Sequence, residues 1–401
     1  MAMDRHIRRD ADGPSCSVLP QRPESGSVWS NALDWLKDLR NRKVADASFR
    51  LWATRFWLTR PFARRQAKAL FDLTAGFVYS QILAAAVQAR LFDLLAPGPL
   101  AIEELAQRTG LPEAGALRLL RSAAALRLTE CRSDGRHALG PLGAAMVGNP
   151  GVVAMIAHHA MLYRDLADPL ALLAGEREAQ LGRYWTYANG QSAAAGGAKG
   201  EARDPAAYTA LMAASQALVT AEILRAYPLR RHHRLLDVGG GDGSFLIAAA
   251  KAAPTLHLAL FDLPSVAAIA REKLFAAGLS ARTMVSGGDF LRDPLPVGAD
   301  LAVLNRILHD HDDANAMIIL QAVRRAIAPG GTLLVAEPMA GTPGAEASGD
   351  AYFGFYLLAM GQGRPRTSAE IRQMLKSAGF AKSREWGTDT PLIARLISAS
   401  Q

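Results

Sequence analysis

From residue 231 to the C-terminus the chain alternates short apolar runs with stretches of helical pattern. The runs at 234–238, 256–261, 299–305 and 332–336 are short and mostly apolar, and they end at Gly, Asp, Asn or Glu. A short apolar run of that length reads as a strand buried on both faces. Strands that alternate with helices imply a parallel sheet, so the expected fold class here is α/β and doubly wound, of the Rossmann-like kind.

Upstream the pattern is helical. Residues 71–95 form the longest apolar stretch, but Asp72, Gln81, Gln88, Arg90 and Asp93 interrupt it, so it is read as an amphipathic helix and not a membrane span. Residues 102–109 and 112–125 read as two short helices joined at Gly110-Leu111. Residues 128–139, with Ser133-Asp134-Gly135 at their centre, read as a hairpin. Two helices and a hairpin make a winged helix-turn-helix pattern. Residues 1–28 are rich in Pro, Ser, Gly and charge, a composition too polar to fold alone. The expected organisation is a disordered tail over 1–28, a helical winged-helix domain over 29–150, a helical connector over 151–230, and the α/β domain over 231–401. Within the connector, 184–200 is a small-residue loop.

Composition narrows the function classes. A length of 401 residues calls for more than one domain, and 50% hydrophobic content allows a large core. Cys16 and Cys131 supply neither a disulfide framework nor a metal-ligand cluster, which suits a reducing cytoplasm. The first 25 residues have no apolar core, so no signal peptide is expected. The net charge of +8 is uneven: Arg40, Arg42, Lys43, Arg50, Arg55, Arg60, Arg64, Arg65 and Lys68 crowd one segment, interleaved with Trp52, Phe56, Trp57 and Phe62. That mixture suits an anionic membrane surface. A solvated helix whose aromatics dock on its own domain is preferred to it, and nucleic acid ranks last, because helix 113–127 offers only Arg118, Arg121 and Arg127 for DNA.

The chemistry begins at Asp237-Val-Gly-Gly-Gly-Asp-Gly243. Gly239, Gly241 and Gly243 form a tight turn past the carboxyl end of a strand, where doubly wound sheets bind ligands. A dinucleotide fingerprint counted from Gly239 would put its third small position on Ser244, a poor fit. Asp262 ends the second strand, placed to accept from both ribose hydroxyls or to cap the helix after Pro264. In Gly287-Gly288-Asp289-Phe290, Asp289 is a candidate acceptor for an adenine amine and Phe290 a cover for the ring; an ordinary turn fits equally well. His309 lies just past the fourth strand and Glu337 at the end of the fifth, so the two are expected side by side, with the carboxylate orienting the imidazole. An alcohol must lose its proton as it attacks, and a positioned His can take it. General base is favoured over metal ligand for His309, with His311 the weaker alternative, because Asp310, Asp312 and Asp313 read as caps of a helix.

Taken in order, Asp237–Gly243, Phe261-Asp-Leu-Pro264, Gly288-Asp-Phe290, Leu308-His-Asp310, Gly330-Gly331 through Glu337, Arg366-Thr367 and Ala378-Gly-Phe380 resemble the plant-type class I O-methyltransferase family. The resemblance spans roughly residues 70–400. It implies S-adenosyl-L-methionine as cofactor, held at Asp237, Gly239, Gly241, Asp262, Leu263, Asp289, Phe290 and Asn305. It implies catalysis by His309 with Glu337, and a homodimer interlocked through the winged-helix domain. The chain departs from the family at two places: a lysine four residues before the base is Asn305 here, and a second supporting glutamate is Pro365. Leu58-Thr-Arg-Pro-Phe-Ala-Arg-Arg65, Ala75-Gly-Phe-Val-Tyr-Ser-Gln81 and Arg306-Ile-Leu-His-Asp-His-Asp-Asp313 are similar to the carotenoid hydroxyl methyltransferases of purple phototrophic bacteria. That similarity implies a hydrophobic hydroxylated acceptor, a carotenoid, and an enzyme of the cytoplasm in peripheral contact with the inner membrane. Tyr352, Phe353, Phe355, Tyr356, Leu357, Leu358 and Met360 form one apolar segment suited to such an acceptor, and Met155, His158, His159, Met161 and Tyr163 another; about half of these positions are expected to be helical core.

Overall fold

The computed structural model describes residues 28–177, 179–182 and 205–400. The tail expected over 1–28, apart from Val28, and the loop expected over 184–200 lie outside the described residues. The chain divides into two compact units, one ending at Tyr79 and one spanning Ser80–Gln401.

The first unit holds helices Val28–Ala45 and Ala47–Arg55 and the start of helix Arg60–Gln88. Asp46 caps the second helix by accepting from Phe49 N at 2.6 Å. Trp52 stacks on Phe56 with ring centroids 4.9 Å apart. Of the aromatics expected to dock on their own domain, Trp52, Trp57 and Phe62 are at least half exposed and Phe56 is partly buried; Trp35 is exposed as well. Helix Arg60–Gln88 is long and apolar enough to cross a membrane by length and composition alone, and only 11% of its apolar stretch is buried.

In the second unit, helices Ile102–Thr109 and Glu113–Ala125 are followed by a hairpin of β1 (Thr129–Cys131) and β2 (His137–Leu139). This is the winged-helix pattern read from the sequence. Leu91, Phe92, Leu95, Leu105, Leu120 and Leu128 make its core.

The remaining strands form one seven-stranded sheet: β3 (Arg234–Val238), β4 (His257–Asp262), β5 (Thr283–Gly287), β6 (Ala299–Asn305), β7 (Ile327–Glu337), β8 (Lys382–Trp386) and β9 (Arg395–Ser400), in the order β5-β4-β3-β6-β7-β9-β8. Leu235, Leu236, Leu301 and Leu333 are fully buried because helices cover both faces. The order reverses at β3, with β4 on one side and β6 on the other, which opens a crevice at their carboxyl ends. The sheet is not wholly parallel. β9 pairs antiparallel with both β7 and β8. No helix links β8 to β9, so the chain turns back as a hairpin instead of crossing over.

Two glycines of the winged helix should separate steric need from helix propensity. A Cβ at Gly143 would lie 1.9 Å from the Leu128 carbonyl oxygen, whereas one at Gly115 meets nothing closer than 3.9 Å. Gly143→Ala is expected to destabilise by about 1–3 kcal/mol, the scale of overpacking. Gly115→Ala is expected to stabilise by about 0.5–1 kcal/mol. Thermal unfolding of both variants checks the pair.

Candidate active site

The glycine turn after β3 is open where a ligand would lie. Gly239 and Gly241 have φ of +71° and +59°, a region that suits glycine. A Cβ at Gly239 would strike Ile307 Cδ1 at 2.4 Å, so this backbone lies against the segment that follows β6. A Cβ at Gly241 would meet only Gln216 Oε1, at 4.0 Å. Asp262, at the end of β4, spans the turn: Oδ2 accepts from Gly241 N at 2.8 Å and Oδ1 from Leu263 N at 2.7 Å.

Buried polar groups gather at the tips of β3 and β6. Asp237 and Asn305 are 1% and 2% exposed, and Asp237 Oδ2 and both side-chain polar atoms of Asn305 have no hydrogen-bond partner among the described residues. Burial pushes the Asp237 carboxyl up to about 8, with the charges of Asp262 and Asp242 adding to the shift. Burial pushes Asp262 up to about 6 against the lowering effect of the Gly241 and Leu263 amides. Asp242 Oδ2 pairs with Lys273 Nζ, which also donates to Ser244 Oγ at 2.7 Å and ties the turn to helix Pro264–Ala276. Asp289 accepts from Leu291 N through Oδ1, and Phe290 meets the His311 ring edge-on at 5.4 Å.

His309 sits in a single 3₁₀ turn, Leu308–Asp310, directly beyond β6. It is 2% exposed. Its Nε2 lies 3.2 Å from Asp310 Oδ1, and its Nδ1 is buried with no partner among the described residues. The sequence places Glu337 against the imidazole; the structure places it against the backbone instead. Glu337 Oε1 accepts from Leu308 N at 2.5 Å and His309 N at 3.1 Å. The acids after the base also divide their work. Asp312 caps helix Asp313–Ala326 through Asn315 N. Asp313 binds Arg366, and Asp310 is the imidazole's neighbour and not a cap. Arg366 was legible only as part of a resemblance. A lone arginine beside Pro365 gives no sign that it is fully buried.

The two apolar segments meet here. Helix Phe353–Met360 follows a π-helical turn, Ala347–Tyr352, of a kind common at functional sites. It packs against helix Pro150–Asp165. His159 Nε2 and the Tyr352 hydroxyl are 2.7 Å apart, and His158 Nε2 and the Tyr356 hydroxyl 3.0 Å. Phe353 lies 5.7 Å from the His309 ring, so the aromatic wall reaches that histidine. Tyr356, Leu357 and Met360 are core, while Tyr352 and Phe353 stay partly exposed and Phe355 is 37% exposed.

The comparisons with known proteins agree with this geometry. Residues 163–381, more than half of the chain, match the O-methyltransferase domain model, and residues 71–149 match the O-methyltransferase dimerisation domain. The chain belongs to the O-methyltransferase family. It is 43% identical to demethylspheroidene O-methyltransferase of Cereibacter sphaeroides, over 91% of this chain and 95% of that one. It is 32% identical to acetylserotonin O-methyltransferase of Mus musculus, over 80% and 85% of the two chains. Among solved structures, the methyltransferase CalO1 of calicheamicin biosynthesis, in its SAH-bound form, superposes with a TM-score of 0.69 at 29% identity, covering 83% of this chain and 98% of that one. The enzyme is therefore an S-adenosylmethionine-dependent O-methyltransferase, and its dimerisation domain makes it a homodimer.

The chain's own residues fit that cofactor. The glycine turn is unfilled at Gly241, and the unpartnered atoms of Asp237 and Asn305 offer hydrogen bonds at the same sheet edge. A side chain at Gly241 should occupy that space, so Gly241→Val is expected to weaken S-adenosylmethionine binding at least tenfold by calorimetry, with the fold retained. The acids carry a pH prediction. Asp237 and Asp262 hold protons more tightly in the folded state than their ordinary value of 3.8 allows, so their contribution to stability without cofactor should be full below pH 3.8 and be lost as pH rises through about 6 and about 8. Asp237→Asn should flatten the decline, as read from melting temperature against pH.

Proposed function

We propose that the acceptor is the tertiary 1-hydroxyl of an acyclic carotenoid and that His309 is the general base. The observation that carries the substrate is the 43% identity to demethylspheroidene O-methyltransferase over nearly the whole of both chains. The aromatic wall of Tyr352, Phe353 and Tyr356 beside His309 supports an acceptor that is apolar up to its hydroxyl.

S-adenosylmethionine, when bound, supplies a methyl group on a sulfonium leaving group. Asp237, Gly239, Gly241, Asp262, Leu263, Asp289, Phe290 and Asn305 would hold it. Glycine backbone lets it approach, Asp262 accepts from its ribose hydroxyls, and Asp289 and Phe290 take its adenine. His309 does the acid–base work. The ring nitrogen that Asp310 does not engage receives the hydroxyl proton as the new O–C bond forms, and the Asp310 carboxylate stabilises the imidazolium. The burial of His309 excludes water from the proton transfer. His158 is held neutral, its value lowered to about 4 chiefly by burial, so the acceptor wall carries no cation there at neutral pH.

The lipid-soluble acceptor gives the exposed basic and aromatic helices a role. Trp35, Trp52, Trp57 and Phe62, set among the Arg40–Lys68 cations, suit a peripheral seat on the anionic inner membrane of the cytoplasm. A small phenolic acceptor is the second reading, supported by the 32% identity to acetylserotonin O-methyltransferase.

His309→Ala is expected to lower methyl transfer by about 10²–10⁴-fold with cofactor affinity kept, and His311→Ala to do much less. The reverse order would assign the base to His311. With labelled S-adenosylmethionine, activity on 1-hydroxy carotenoids should rise with anionic vesicles and fall with salt. Charge reversal at Arg60, Arg64 and Arg65 should remove the vesicle effect without touching cofactor binding. Methylation of caffeate, with none of the hydroxylated carotenoid, would turn the assignment to the phenolic reading.

A further inference from the structure

The turn that carries His309 is held from two sides by opposite buried charges. On one side is the Glu337 carboxylate, which takes the Leu308 and His309 amides. On the other is Arg366, 1% exposed. Its Nη1 donates to Leu308 O at 2.5 Å and its Nη2 to His311 O at 2.7 Å. Its Nε and Nη2 reach Asp313 Oδ1 at 2.9 and 2.8 Å. The segment before it closes the same contact: Arg364 N donates to His309 O at 3.0 Å, and a Cβ at Gly363 would lie 2.2 Å from that oxygen.

A single 3₁₀ turn cannot satisfy these groups itself, and buried backbone donors and acceptors need partners. Glu337 supplies only acceptors and Arg366 only donors. Together they cover both polarities of the turn, and neither touches the imidazole. Arginine is required by shape as well as charge. Three acceptors in different directions match a planar fork of five N–H groups, and an ammonium on a flexible stem does not.

We propose that Arg366 is a positioning residue for methyl transfer: opposite Glu337, it fixes the backbone of the His309 turn and so aims the base at the acceptor. This answers what steadies the base in a chain that has Pro365 where the family has a second supporting glutamate. The inference rests on the reading of His309 as base, and a double-mutant cycle separates the two.

Arg366→Lys keeps the charge and loses the fork. It is expected to lower kcat by ~10–100-fold, the scale of an ångström-level misplacement, with acceptor KM and calorimetric S-adenosylmethionine affinity unchanged. In a His309→Ala background the same change should cost less than ~3-fold, because no base is left to aim. Equal losses in both backgrounds would show that Arg366 acts independently of His309 and overturn the proposal. So would a loss confined to KM or cofactor affinity. Full activity of His309→Ala alone would instead defeat the base assignment. Should Arg366→Lys fail to fold, Asp313→Ala decides, because it removes the exposed carboxylate that the Arg366 guanidinium shares with Arg364. A kcat loss of a few-fold that vanishes in the His309→Ala background supports the proposal, and no loss, or equal losses, refutes it.

Discussion

Leu308 and His309 leave β6 with amide groups that the sheet does not take, and the Glu337 carboxylate takes them. This bond between the end of one strand and the turn after its neighbour decides where His309 stands. β6 and β7 run parallel in register, so Asn305 lies opposite Ala336 and Glu337 comes next to the departing chain. A carboxylate so buried is costly to ionise, and burial does raise its value; the electrostatic influence of His309 and the Arg366 guanidinium opposes the rise. The burial of both is tolerable because Glu337 takes two backbone amides of the turn, while Arg366 takes two of its carbonyls and pairs with Asp313.

The same sheet edge carries a second concentration of charge. Asp237, Asp242 and Asp262 crowd the glycine turn, and beyond burial the other two raise the cost of ionising Asp237. Without a cofactor this is a strained arrangement in electrostatic terms. S-adenosylmethionine is a sulfonium cation with hydrogen-bond donors, which would offset that crowding at the proposed site. Lys273 supplies part of that relief from the protein side by pairing with Asp242.

The acceptor side is built on different physics. Tyr352 and Tyr356 stack at 5.7 Å, and both hydroxyls are hydrogen-bonded to histidines of another helix. Each polar tip is thereby satisfied inside an apolar wall, which leaves ring faces for the acceptor. Burial raises the Tyr352 phenol to about 12, so it stays neutral. A site with one base, neutral aromatics and little free charge favours a greasy molecule that carries one hydroxyl.

The sequence by itself determined the winged helix, the order of strands and helices after residue 231, the glycine turn, and the position of His309 at a strand tip. Those features follow from local signals: apolar period, turn residues, and the rule that ligands bind beyond the carboxyl ends of parallel strands. Tertiary structure alone decided which acid serves which group. Glu337, expected on the imidazole, holds the backbone, while Asp310, expected to cap a helix, lies at Nε2. It also decided that β9 inserts reversed between β7 and β8, and that Arg366, 57 residues from His309, closes the turn. Hydrogen-bond partners depend on atoms that the fold brings together over long chain separations. A pattern of residue types fixes which faces are buried, but not which of several buried acids reaches a given nitrogen first.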